Sequence, residues 1–327
     1  MSIPTDFAPD RQRARALDQR MHAELGRSVR LVVDACRDRL ALDYDALDTL
    51  CSTLEAGVTH PPTTFAFYYD AVTALLEEDE ARAARFLDAL AQQQPLSSTQ
   101  EVGALDNGSR GQCYRERMTA EMSTGLSLHT PDPDTTRNFI DCYRAAMDLL
   151  RQTARPLADE IQSIVHDVIA VTGGPDDEGE FHGGSHYQLW GALFLNAQLH
   201  NTRIAMAEVL AHESAHSLLF GFCTHEPLTL NEDSEHYPSP LRSDLRPMDG
   251  IYHATFVSAR MHWAMNQLLQ SPLISEQERD QAQAAVARDR EHFEAGYFVV
   301  AQHGKLTTLG DSLMKNARHY MDVVAHP

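Results

Sequence analysis

The sequence has no long apolar run. Nowhere do its 327 residues approach the roughly 20 uncharged apolar positions that a membrane-spanning helix needs, so no membrane partner is expected. Met1 to Arg20 carries several charges and lacks the apolar segment of a secretory signal. Cysteine is scarce: five residues, Cys36, Cys51, Cys113, Cys142 and Cys223, with no CxxC pair among them. That argues against a disulfide framework and against a thiolate zinc site, and the expected location is the reducing cytoplasm. Basic residues are outnumbered, 27 Lys and Arg against 47 Asp and Glu, for a formal net charge of −20. Such a chain repels phosphate backbones, and nucleic acid is not an expected partner. No internal repeat or low-complexity tract is visible.

What is present is a globular composition, 43% hydrophobic and 23% charged, long enough to bury one large core or two ordinary ones. Helical periodicity dominates. Arg11 to Leu40 places Leu17, Met21, Leu25, Val29 and Val32 or Val33 on one stripe. Thr63 to Glu78, after Pro61 and Pro62, and Ala81 to Gln94 read as further helices, and Pro95 to Leu128 reads as loop with short elements. Thr135 to His166 is a long helical pattern that Pro156 kinks or splits. Val165 to Val171 and Tyr187 to Leu195 read as short strands flanking a turn-rich loop, Gly173 to Gly184. Asn201 or Thr202 caps a helix expected to run through Phe220 and stop at Gly221. Thr224 to Pro247 reads as loop, followed by helices from Asp249 to about Leu269, Glu276 to Val300 and Thr307 to Val323. The expected class is mainly α with a small β element (α+β). The expected organisation is an N-terminal helical region, 1–130, and a second domain, 131–327.

Seventeen histidines matter only where they converge, and one pair is spaced to do so. His212, Glu213, Ser214, Ala215 and His216 form an HExxH motif inside the Thr202-capped helix. Residues four apart on a helix are separated by about 40° and one turn, so both imidazoles face one way and can hold one divalent ion. The metzincin spacing for a third ligand needs Gly at 219 and His at 222, where this chain has Leu219 and Phe222. Glu232 and Glu235 are near in sequence but sit in Asn231 to Pro240, which reads as loop. Of His225, His236, His253 and His262, the best placed is His253, in the first turns of the Asp249 helix. Arg260 follows seven residues later, about 20° away on the same helical face, as a fixed cation.

Beyond HExxH, the stretch Tyr237 to His253 (YPSPLRSDLRPMDGIYH) resembles the HExxH putative peptide-modification family, with its SPxR-x-D-x-RP segment and G-x-x-H helix. Leu306 to Gly310 (LTTLG) is similar to that family's LTxxG segment, and Leu189, Trp190 and Gly191 fit upstream. The resemblance covers roughly residues 160 to 320. It implies an iron(II)/2-oxoglutarate-dependent dioxygenase, a β-hydroxylase of side chains in ribosomal precursor peptides or amino acids that consumes O2. It also implies an HExxH-bearing helical metalloenzyme fold and not a double-stranded β-helix. Carried over, His212, His216 and His253 are the metal ligands. Arg242, Arg246 and Arg260 are the candidates for the distal carboxylate of 2-oxoglutarate, which suits a bidentate guanidinium. If His253 fails, Asp249 is the alternative third ligand. Glu213 separates this reading from its alternative, a zinc metallopeptidase in which that glutamate is the general base for a metal-bound water.

Overall fold

Helices make up most of the chain, as the periodicity predicts. The computed structural model describes residues 3–97, 100–121, 127–174, 177, 180–242 and 244–325. Among these are eleven α-helices and two small sheets, so the fold is mainly α with a small β element. No helix among the described residues is long and apolar enough to cross a membrane. The chain divides into two compact units, each assembled from separated segments: 1–14, 141–161 and 200–327 form one, and 15–140 and 162–199 the other. The expected boundary near residue 130 falls inside the latter.

The second unit contains most of α1 (Arg11–Cys36), then α2 (Tyr44–Glu55), α3 (Pro62–Leu76), α4 (Glu80–Ala91) and α5 (Ser109–Glu121). α2 is not among the expected helices, although Asp43 caps it and Leu47, Leu50, Cys51 and Leu54 bury a regular helical stripe. The helical pattern from Thr135 divides at Ala154 into α6 (Pro133–Thr153) and α7 (Arg155–Ile164), next to Pro156. A four-stranded sheet has the order β1-β2-β4-β3. β1 (Glu101–Ala104), β2 (Asp167–Val171) and β4 (Ala192–Asn196) run parallel, and β3 (Gly183–Ser185) is antiparallel on the edge of β4. Every residue of β2 and β4 is buried, which is why both read as continuous apolar runs. The two expected strands are therefore direct parallel neighbours. β3 lies in the glycine-rich stretch read as loop, whose residues 175, 176, 178 and 179 lie outside the described residues.

Asp18 organises the buried polar contacts of this unit. Its Oδ1 accepts from His166 Nε2 at 2.9 Å and from Trp190 Nε1 at 2.8 Å, and its Oδ2 accepts from Thr59 Oγ1 at 3.0 Å. Trp190 is positioned by the turn at Gly191, which has φ +89°; a Cβ there would lie 2.4 Å from His166 Cδ2. Burial pulls the Asp18 pKa up, but the charge of His22 and the hydrogen bonds from His166 and Trp190 outweigh it and bring it to about 2.

The first unit is built around α9 (Met248–Leu269), whose residues are buried on nearly all sides. α8 (Arg203–Phe222), α10 (Glu276–His303) and α11 (Thr308–Ala325) pack on it. Thr202 caps α8 by accepting from the Ala205 N–H, as expected, but α8 continues through Gly221 to Phe222, with Cys223 as its C-cap. A backbone strap is pinned in this unit as well. Thr5 Oγ1 lies 2.7 Å from Ser312 Oγ, Asn316 Nδ2 donates to the Thr5 carbonyl at 2.8 Å, and the Phe7 ring stacks on Tyr320 at 4.7 Å.

Two outcomes test the Asp18 cluster. Because the folded pKa of Asp18 lies below its unfolded value, its contribution, about 2 kcal/mol, is present above pH 4 and lost as pH falls toward 2. Urea unfolding between pH 7 and pH 2.5 should show that loss in the parent protein and not in Asp18→Asn. At pH 7, Asp18→Ala leaves three donors without their acceptor and is expected to destabilise by about 3 kcal/mol.

Candidate metal centre

The HExxH motif lies in the second half of α8, and α8 and α9 pack side by side. Their facing surfaces bring three imidazoles together. His212 Nε2 lies 3.2 Å from His216 Nε2, and His216 Nδ1 lies 3.0 Å from His253 Nδ1. The His216 and His253 rings are near parallel, with centroids 5.3 Å apart and an interplanar angle of 18°, so that they meet end to end through their Nδ1 atoms, and the His212 and His216 rings meet edge to face at 4.9 Å. Burial pushes the His216 pKa down to about 3, with a smaller contribution from His253, and burial pushes His253 down to about 4. Both rings are therefore neutral at ordinary pH, the form a metal ligand requires.

The donor set fits a divalent ion at one point. Two nitrogens each about 2.1 Å from a shared ion, at roughly 100° to one another, lie about 3.2 Å apart, which is the observed Nε2 separation in the HExxH pair. His253 does not join that point. It meets His216 at Nδ1, whereas His212 meets it at Nε2, the nitrogen on the other side of Cε1. Among the described residues no three His, Cys, Asp or Glu side chains are arranged to hold an ion. The expected three-histidine face thus appears as a pair plus a neighbour of that pair.

Glu213 is buried, with Oε1 3.9 Å from His212 Nε2, on the same edge of His212 as His216. His212 Nδ1 faces the Met261 thioether at 3.3 Å, a contact that sequence spacing gave no means of anticipating. The other candidate third ligands are placed elsewhere or already engaged. Glu235 accepts from Tyr237, Asn231 and Lys305. His236 and His225 are exposed, and His262 Nδ1 lies 2.9 Å from the Tyr320 hydroxyl.

The three arginines separate clearly. Arg260 is buried, and its guanidinium is bound by the Glu160 carboxylate and by the Phe7 carbonyl at 2.8 Å. Glu160 is shared with Arg13 at 2.8 Å. A guanidinium buried on internal partners of this kind is not presented to a dicarboxylate, so the helical-face expectation for Arg260 does not hold. Arg246, half-buried in β6 (Arg246–Pro247), pairs with Asp244 at 2.9 Å. Arg242 is exposed and makes no ion pair among the described residues.

Comparison of the chain with protein-family models and with curated proteins finds no match to either.

The buried arginine cluster has a direct test. Glu160→Gln removes the carboxylate between two buried guanidinium groups and is expected to destabilise by about 3–5 kcal/mol in chemical denaturation. Arg260→Ala should also lose stability, since it strips Glu160 of one partner. An Arg260→Ala protein as stable as the parent, with only its cosubstrate requirement raised, would return Arg260 to the site.

Proposed function

We propose that the chain is a non-haem iron(II)/2-oxoglutarate-dependent oxygenase that hydroxylates a side chain, at Cβ, of a ribosomal precursor peptide or an amino acid. The observation that carries this reading is the partly buried pair of Nε2 atoms 3.2 Å apart. The resemblance of residues 160 to 320 supplies the reaction class. Iron(II) held at that pair would activate O2, the oxidant of the reaction: one oxygen atom goes into a C–H bond to give C–OH, and the other into 2-oxoglutarate as it becomes succinate and CO2. His212 and His216 hold the metal and leave its remaining positions open, which such a reaction needs. His253, the third donor implied by the resemblance, meets His216 at its Nδ1.

Arg242 and Arg246 are the residues that would bind the distal carboxylate, Arg246 from the position just before the Pro247 N-cap of α9. A reducing cytoplasm suits both the iron(II) state and the five free thiols.

A second reading is favoured by one contact. The buried Glu213 carboxylate close to His212 Nε2 is placed to take a proton from a water on a bound ion, the role of this residue in a zinc peptidase.

Purified protein given iron(II), ascorbate and 2-oxoglutarate should release succinate in a manner dependent on a candidate peptide, and His212→Ala should abolish it. Retained zinc, with peptide cleavage lost in Glu213→Gln, would replace the oxygenase reading with the peptidase. Replacing Arg242 and Arg246 singly should raise the 2-oxoglutarate requirement about tenfold or more for the one that binds it, with metal loading unchanged. No effect from either would remove both.

A further inference from the structure

An ion between the two Nε2 atoms requires a lone pair on each, so each ring must carry its proton on Nδ1. The structure shows an acceptor at each of those positions. His212 Nδ1 faces the Met261 sulfur at 3.3 Å, and His216 Nδ1 faces His253 Nδ1 at 3.0 Å. A His253 ring that accepts there holds its own proton on Nε2. That nitrogen points toward Asp249 Oδ2, one turn back on α9 and 4.0 Å away.

We infer that His253 is a positioning residue and not a ligand: it accepts the Nδ1–H of His216 and so fixes the tautomer that presents His216 Nε2 to the ion, with Asp249 orienting His253 in turn. The inference rests on the metal-centre reading above. Outer partners of this kind set the orientation and basicity of a ligating imidazole. The alternative, in which His253 itself ligates, takes its Nδ1 away from this contact and leaves the His216 Nδ1–H without the acceptor it now faces. Asp249 also stands in the first turn of α9, where any carboxylate favours the helix dipole. That role is independent of His253, which makes the two separable.

The experiment is Co(II) binding to the full chain, with affinity measured by chelator competition and the ligand-field spectrum read alongside. His253→Ala should weaken binding about 10–100-fold. His253→Asn places a carbonyl oxygen about where imidazole carries Nδ1, and should recover most of the affinity with an unchanged spectrum. His253→Gln moves the acceptor outward and should not. Asp249→Ala should weaken binding in the parent background and add nothing in His253→Ala. A His253→Ala loss as deep as that of His212→Ala, with no rescue by Asn and a shifted spectrum, would make His253 a ligand and overturn the inference. Parental affinity in His253→Ala would overturn it as well. A parent that takes up no Co(II), or His212→Ala and His216→Ala variants that bind as the parent does, would instead sink the metal-centre reading itself.

Discussion

A neutral imidazole has one N–H and one lone pair, and inside a packed helical unit water is not at hand to supply what a neighbour lacks. That constraint governs the surface between α8 and α9. Once burial holds His216 and His253 neutral, each ring must find one donor and one acceptor among side chains. With His212 donating from Nδ1 to the Met261 sulfur and His216 donating from Nδ1 to His253, the Nε2 lone pairs of His212 and His216 are left facing one another. A cation at that gap supplies what neither ring can give the other. Both rings would then bind it in the neutral form they already have.

Several motif residues of the family-like stretch perform structural tasks. Pro247 is the N-cap residue of α9, and its fixed φ suits the entry into that helix. Gly310 accepts the Tyr252 hydroxyl on its carbonyl at 2.7 Å, and a Cβ there would lie 2.1 Å from the Leu228 carbonyl oxygen. Tyr252 immediately precedes His253, so this contact holds the start of α9 in register. Trp190 and Gly191 act in the second unit, through Asp18 and the close approach to His166. Spaced motif residues other than the imidazoles thus serve the packing of their own unit.

The sequence made the long helices and the imidazole pair legible because both depend on local spacing. An i, i+4 histidine pair on a capped helix needs only the geometry of α8. The class of fold followed for the same reason. Arg260 shows where such reasoning ends. Its helical phase relative to His253 is a local property, but its partner Glu160 is a hundred positions away and belongs to another helix. Nothing in the spacing along α9 reveals that partner. β3 was hidden differently, since its Gly-Gly-Ser sequence has no strand preference of its own and pairs because β4 offers an edge. α2, as long as the anticipated α4, has a stripe and a cap that are readable in the local spacing.

The strap through Thr5 and Phe7 has a consequence for how the first unit is made. Its partners Ser312, Asn316 and Tyr320 come more than 300 positions later. During synthesis this segment emerges long before its docking surface exists, and must wait until α11 has left the ribosome. Closure of this unit is a late event with a large loop-entropy cost. Until α11 arrives, the apolar flank of α9 that receives Phe7 stays open to solvent and to chaperones.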